Sequence, residues 1–257
     1  MARLWLTLAY EGTDFCGWQL QAAKAGQTVQ GALEDVVSRV CGVSVRAHGS
    51  GRTDSGVHAL GQVAHVDIPD AKAALDWQHI INAQIDPAIS IIDARIVDES
   101  MHARYSVVSK TYAYSLWLNG RYSIPQRRNF VWKAGPLDLE AMDAAAALFM
   151  GEHDFRSFQN AGTPVKSTVR TVHALTRHAG QTPDEIVWRF SADGFLKQMV
   201  RNMMGFMVAV GRGQFAPQDV SRVLAATDRS AYRYPTAPPQ GLCLETVVYA
   251  QPDSGQA

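Results

Sequence analysis

The chain has 257 residues, 47% of them hydrophobic, with 24 Lys and Arg set against 24 Asp and Glu. That length can bury a sizeable core as one large or two small domains, and the zero net charge excludes a global field steering the molecule onto nucleic acid. No apolar run is long enough to span a bilayer and no signal peptide precedes Arg3–Thr7, so the chain is expected in the cytoplasm, away from membranes.

Leu4, Leu6, Leu8 and Tyr10 alternate with Arg3, Trp5 and Thr7, which is the period of a strand. Val29, Leu33, Val36, Val37 and Val40 recur at helical spacing, with Thr28 as N-cap and Gly42 as stop. Short strands are predicted over Val43–Arg46 and Gln62–Asp67. A helix is predicted over Ala71–Gln84, ended before Asp86-Pro87, and a strand over Ala88–Val97. The second half repeats this order. Thr111–Leu118 alternates as a strand, and Leu139, Met142, Ala146 and Phe149 share a helical face between Asp138 and Gly151. Val169–Arg177 and Glu185–Ser191 read as strands. Leu196, Met199, Val200, Met203, Met207 and Val210 make an apolar helical stripe, read as core. A shorter helix follows Pro217, and Leu242–Tyr249 closes as a strand.

Each half therefore reads β-α-β-β-α-β, the second with one added helix. The fold class expected is α+β: two ferredoxin-like domains with antiparallel sheets, spanning 1–104 and 105–250, with a flexible tail at 251–257. RNA-recognition modules share this element order, which alone assigns no function. The three cysteines, Cys16, Cys41 and Cys243, are too widely spaced for a disulfide framework or a zinc pattern and read as buried thiols in a reducing compartment.

Charge is unevenly placed. No acid lies between Glu99 and Asp138, yet Arg104, Lys110, Arg121, Arg127, Arg128 and Lys133 do. None lies between Asp154 and Asp184, a stretch with Arg156, Lys166, Arg170 and Arg177. A neutral chain can thus carry a basic face for phosphates, or simply an uneven surface.

Residues 49–58 read Gly-Ser-Gly-Arg-Thr-Asp-Ser-Gly-Val-His. Glycines permit a tight bend and a close approach, and between them sit Arg52 and Asp54. This pair could be a nucleophile with its cation, a charge clamp, or the ordinary chemistry of a turn. The glycines miss the dinucleotide spacing, and no Walker lysine follows. Asp54-Ser55-Gly56 and Asp253-Ser254-Gly255 superficially suggest an aspartic protease, but the second triplet follows Pro252 in the tail. His48, His58 and His65 lack metal-ligand spacing, and His153-Asp154 reads as a capping pair. Lys110-Thr111-Tyr112-Ala113-Tyr114 sets two tyrosines on one strand face. Such rings either stack on splayed bases or sit half-buried, and Tyr114 fits the core better.

Taken together, the motifs resemble the tRNA pseudouridine synthase A family nearly end to end. The matching pieces are Tyr10–Phe15, Gly17-Trp18-Gln19, Thr28-Val29-Gln30, Gly49–Ala59, His102-Ala103-Arg104 and Lys110–Tyr114. They continue with His153–Phe155, Ser157-Phe158, Val169–Thr171, Asp193–Leu196, Met199–Asn202, Ala237-Pro238 and Gly241-Leu242. The resemblance implies a homodimeric enzyme that isomerises uridine to pseudouridine at positions 38 to 40 of the tRNA anticodon stem-loop, with no metal or organic cofactor. It implies an active-site cleft between the two domains. Asp54 carries over as the catalytic aspartate, Tyr112 as the ring stacking on the target uracil, Arg201 as the arginine pairing with that aspartate, and Arg52 as a basic residue of the same loop. Lys110, Arg104 and Arg170 are expected to contact RNA. Ser55 departs from the alanine common in the family at that place.

Overall fold

The structure, a computed structural model, describes residues 1–21, 28–160 and 165–250. The spacer Ala22–Gln27 and the tail Gln251–Ala257, including its Asp-Ser-Gly triplet, lie outside the described residues. Two compact units divide the chain, one of Met1–Val108 with the described residues from Leu244 on, the other of Ser109–Cys243.

The first unit runs β1 (Ala2–Tyr10), α1 (Val29–Cys41), β2 (Ala47–Gly49), β3 (His58–Ile68), α2 (Trp77–Asn82) and β4 (Ile89–Val97). β1 lies between β4 and β3 and is antiparallel to both, and β2 pairs antiparallel with β3. Alternation along β1 decides which residues go where: Leu4, Leu6 and Leu8 are almost fully buried on one face, while Trp5 packs on the other with Val63 and Ala103. α1 begins where Thr28 Oγ1 accepts the Gly31 N–H at 3.2 Å. It ends where Gly42 takes φ 72° and donates to Ser38 O, a left-handed stop that suits glycine.

Two expectations need correction here. The strand predicted over Val43–Arg46 forms instead at Ala47–Gly49. The Val45 N–H is taken by Ser38 Oγ at 3.1 Å, which ties that stretch back to α1, and sheet pairing starts only at Ala47 opposite Val66. The helix predicted over Ala71–Gln84 shrinks to α2, preceded by a single 3-10 turn at Asp70–Lys72. Trp77 Nε1 donates to Lys72 O at 3.0 Å, and Asp76 caps a fresh start by accepting the His79 N–H at 3.1 Å. A capping carboxylate at that point competes with a continuous ladder.

The second unit contains β5 (Val107–Trp117) from Ser109 on, β6 (Trp132–Lys133), α3 (Leu139–Ala147), β7 (Gly151–Asp154), β8 (Val169–Ala179), β9 (Glu185–Ala192), α4 (Met199–Gly211) and α5 (Asp219–Ala226). β5, β9, β8 and β7 neighbour one another in that order, all antiparallel, and β6 pairs parallel with β5. The closing strand, β10 (Leu242–Tyr249), has the bounds predicted for it. β6 and β7 were not predicted. At two and four residues they carry no alternation, and only their pairing with β5 and β8 defines them.

α4 is buried on all sides from Asn202 to Gly211, so the methionine stripe is one side of a central core helix. Phe149, Phe155 and Phe158 pack beside it in edge-to-face and stacked contacts, and Phe158 meets Phe206 of the helix edge-on. A Cβ on Gly205 would sit 1.9 Å from Pro235 O, so glycine lets the segment before β10 run directly against the helix. The cysteines are half-buried rather than buried.

Candidate active site

The loop between β2 and β3 is held at nearly every residue, and its partners come from far away in sequence. The Ser50 N–H donates to Val63 O at 2.7 Å and its hydroxyl to Gln62 Oε1 at 2.6 Å. Gln62 Nε2 returns a bond to Gly51 O at 3.0 Å. Thr53 is buried; its Oγ1 pairs with the Tyr10 hydroxyl at 2.9 Å, and its carbonyl accepts the Trp18 N–H at 3.1 Å. The Ser55 hydroxyl donates to Phe15 O at 3.0 Å, and the Gly12 N–H to His58 Nδ1 at 3.0 Å. Asp54 lies in the middle of these anchors. Its carbonyl closes a turn by accepting the Val57 N–H at 3.2 Å, and its side chain is half-buried beside an exposed Arg52.

Of the three glycines in the loop, only Gly56, at φ 77°, needs positive φ. Gly49 is glycine for another reason: a Cβ there would stand 2.6 Å from the Trp18 indole. The segment Gly12–Trp18 presses on the loop just as closely. A Cβ on Gly12 would meet Val57 O at 2.0 Å, and one on Gly17 would meet Thr53 O at 2.6 Å. The segments Tyr10–Phe15, Gly17–Gln19 and Gly49–Ala59 therefore form one packed body around Asp54. Tyr10, Thr53 and Gln62 are supports that sequence reasoning did not single out. Tyr10 and Thr53 were marked only by membership of the quoted motifs, and Gln62 only as the first residue of a predicted strand.

In the second unit, Tyr112 lies on β5 opposite Phe190, is 7% exposed, and meets the Phe195 ring edge-on at 5.3 Å. Tyr114 is fully buried, as expected of a core residue, and its hydroxyl donates to Pro238 O at 2.6 Å. Burial pushes that phenol well above its ordinary value, and the nearby Arg201 charge pulls it back. Arg201, half-buried on α4, donates through Nε to Ala237 O at 2.8 Å, and the Ala237 N–H donates to Arg201 O at 3.0 Å. This pair of bonds fixes the base of the guanidinium. Lys110 begins the shared pairing of β5 with β9 opposite Ala192. Arg170, on β8, donates Nη1 to Ser167 O at 3.0 Å and to Val169 O at 2.5 Å.

The structure thus seats Asp54 and Arg52 on one loop of the first unit and Arg104 on a separate turn of that unit. Lys110, Tyr112, Arg170 and Arg201 belong to the second. Two members of the basic stretches are committed to acids. Arg127 forks onto Glu185 at 3.0 and 2.6 Å, and Arg177 onto Asp143 at 3.0 and 2.6 Å. Reading along the chain could not find those carboxylates, because they arrive from β9 and α3.

The family model described as tRNA pseudouridine synthase matches residues 7–106 and 145–250. A tRNA pseudouridine synthase A from Solidesulfovibrio magneticus is 55% identical over 98% of this chain and 93% of its own length. One from Lawsonia intracellularis is 49% identical over 97% of this chain and all of its own, and one from Rhodospirillum rubrum is 44% identical over 94% and 86%. Among solved structures, an archaeal box H/ACA sRNP Nop10-Cbf5 complex aligns at 12% identity over 80% of this chain and 43% of its own, with a TM-score of 0.35, too low to bear on the argument. Matched in both units and along nearly its whole length, the chain belongs to the tRNA pseudouridine synthase family, enzymes that isomerise uridine in tRNA.

Proposed function

We propose that the chain converts uridine to pseudouridine at positions 38 to 40 of the tRNA anticodon stem-loop, with Asp54 as nucleophile. The observation that carries this is the loop itself: a half-buried carboxylate between residues that are each anchored to distant parts of the first unit. A turn needs no such support, whereas a reacting group must be held in place.

In the reaction the C1′–N1 bond breaks, uracil turns, and C1′ joins C5 while the C5 proton is lost and N1 gains one. Atoms and electrons balance without an oxidant, so a nucleophile that can leave again suffices, and a carboxylate qualifies. The target base is flipped from its stem before reaction. Tyr112 stacks on it, Arg201 pairs with the aspartate, and Arg52 serves the same loop. Arg104, Lys110 and Arg170 contact the RNA backbone, which positions the substrate without reading bases. The short tethers on the Arg201 and Arg170 guanidinium groups support assigned, rather than wandering, positions.

Each half is read as a ferredoxin-like domain, spanning 1–104 and 105–250. In the first, the order β1-α1-β2-β3-α2-β4 with strands in the order β4-β1-β3-β2 supports this; in the second, the antiparallel neighbours β5, β9 and β8 do. The enzyme acts in the cytoplasm as a homodimer, and a monomer mass by sedimentation would remove the dimer.

The decisive experiment uses tRNA tritiated at uracil C5. Wild type releases the label, and Asp54→Ala binds tRNA but releases none. Equal release from the variant overturns the role of Asp54.

A further inference from the structure

On the Trp5 face of the first unit, strand register aligns Arg95 of β4, Trp5 of β1, His65 of β3 and His48 of β2 in one cross-strand row. His65 stacks between Trp5 and His48, with centroids 6.4 and 5.0 Å apart and planes 14° and 19° from parallel. The turn after β4 rests on this row. The Ala103 N–H donates to His65 Nδ1 at 3.1 Å, and the His102 ring meets His65 edge-on at 4.6 Å. His102 Nδ1 in turn accepts the N–H groups of Arg104 and Tyr105 at 3.1 and 3.3 Å. These imidazoles are therefore committed to holding a turn, which is not how a metal centre would use them.

The turn ends in Tyr105. Its ring lies 4.3 Å from His102, tilted by 32°, yet 77% of the residue is exposed. The Arg104 guanidinium carbon is 5.7 Å from the same ring. The carboxylate of Asp67 on this face is covered by the fork of Arg3, at 2.8 and 3.0 Å, and Asp98 accepts the Ser100 N–H at 2.9 Å. One side of the Tyr105 ring is thus backed by a stack of rings, its backbone is pinned, and a cation stands beside it. A ring held this way loses little conformational freedom when a flat partner joins it, and every nucleobase offers such a partner.

We propose that Tyr105 is a stacking platform for an unpaired base of the tRNA substrate, a base other than the uridine that reacts, with Arg104 reaching the flanking phosphate. This rests on the reading of the chain as a tRNA-modifying enzyme and adds a second point of contact to it.

The test measures binding of an unmodified tRNA transcript at several salt concentrations, with tritium release in parallel, for wild type, Tyr105→Ala, Tyr105→Trp and Arg104→Ala. Tyr105→Ala should raise Kd and KM about tenfold, with kcat within about twofold of wild type, and Tyr105→Trp should restore binding. The loss in Tyr105→Ala should be the same factor at every salt concentration, because stacking releases no counterions. Arg104→Ala should instead lower the slope of log K against log salt by about one. An unchanged Kd in Tyr105→Ala overturns the platform. So does a fall in kcat at unchanged Kd, which would put Tyr105 at the reacting base. Wild type that binds without releasing tritium, with Tyr105→Ala binding more weakly, sinks the proposed reaction and supports the platform.

Discussion

Gly12 has no side chain to offer chemistry, yet it is as constrained as any residue around Asp54. Its α-hydrogen faces Val57 O at a distance where a methyl group cannot fit, and its N–H holds His58. Gly12→Ala must push Val57, three residues beyond Asp54, out of place. The expected outcome is a loss of about 1–3 kcal/mol in urea unfolding, the usual range for overpacking. Tritium release should fall by more than the lost stability accounts for, because a small displacement of a reacting group lowers the rate steeply. Full turnover in a destabilised Gly12→Ala would show that the position of Asp54 does not depend on this contact. Ser55, the residue that departs from the family pattern, ties the same turn to Phe15. Its hydroxyl bonds the backbone of that supporting segment.

At the scale of elements, the cross-strand row on β1, β2 and β3 joins packing to protonation. Burial first, then the charges of Arg3, His102 and His48, depress the His65 imidazole from 6.5 to about 4, while Asp67 pulls the other way. His102 is lowered in the same direction, again mainly by burial. An imidazole depressed in the folded state binds fewer protons there than in the unfolded chain between those two values. Its contribution to stability is therefore full above about pH 6.5 and is lost as the pH falls toward about 4. For His65 alone this predicts about 2 kcal/mol less stability at pH 5 than at pH 7. Urea unfolding at the two values checks it, and His65→Gln should flatten the difference. A wild type equally stable at both would contradict the neutral His65 that the Ala103 N–H requires. Two elements of the first unit whose bounds departed from expectation, β2 and α2, share one cause. Period and propensity described their segments well enough, but a tertiary or capping bond, from Ser38 Oγ in one case and Asp76 in the other, claimed the backbone first.

At the scale of the molecule, the equal counts of acids and bases conceal a division of labour. Arg127 and Arg177 neutralise Glu185 and Asp143 inside the second unit, and Arg3 neutralises Asp67 in the first. Those arginines serve the fold. Arg52 and Arg104 are exposed, and the proposed RNA contact of Arg104 draws on a side chain of this class. Binding of tRNA should therefore weaken with salt, each phosphate contact adding about 0.7–0.9 to the slope of log K against log salt. A salt-independent affinity would remove the basic surface from the account. Replacing Arg127 should act on unfolding and leave that slope alone, since its charge is already spent on a carboxylate that is 1% exposed.

The sequence by itself determined the strands and helices whose apolar residues recur at a clean period, such as β1, α1, α4 and β10, because that pattern is local and survives any packing. It also determined the family, through motifs whose order no composition would produce by chance, and with the family the identity of Asp54, Tyr112 and Arg201 as candidates. Only the tertiary structure decided why those motifs hold the residues they do. Gly12, Gly17 and Gly49 are glycines because chain from some 30 to 45 positions away lies against them, Thr53 is polar and buried because Tyr10 meets it, and His48, His65 and His102 form one cluster of rings under Tyr105. Contacts between residues so far apart leave no periodic trace in a single chain, which is why their meaning appears only once the backbone has brought them together.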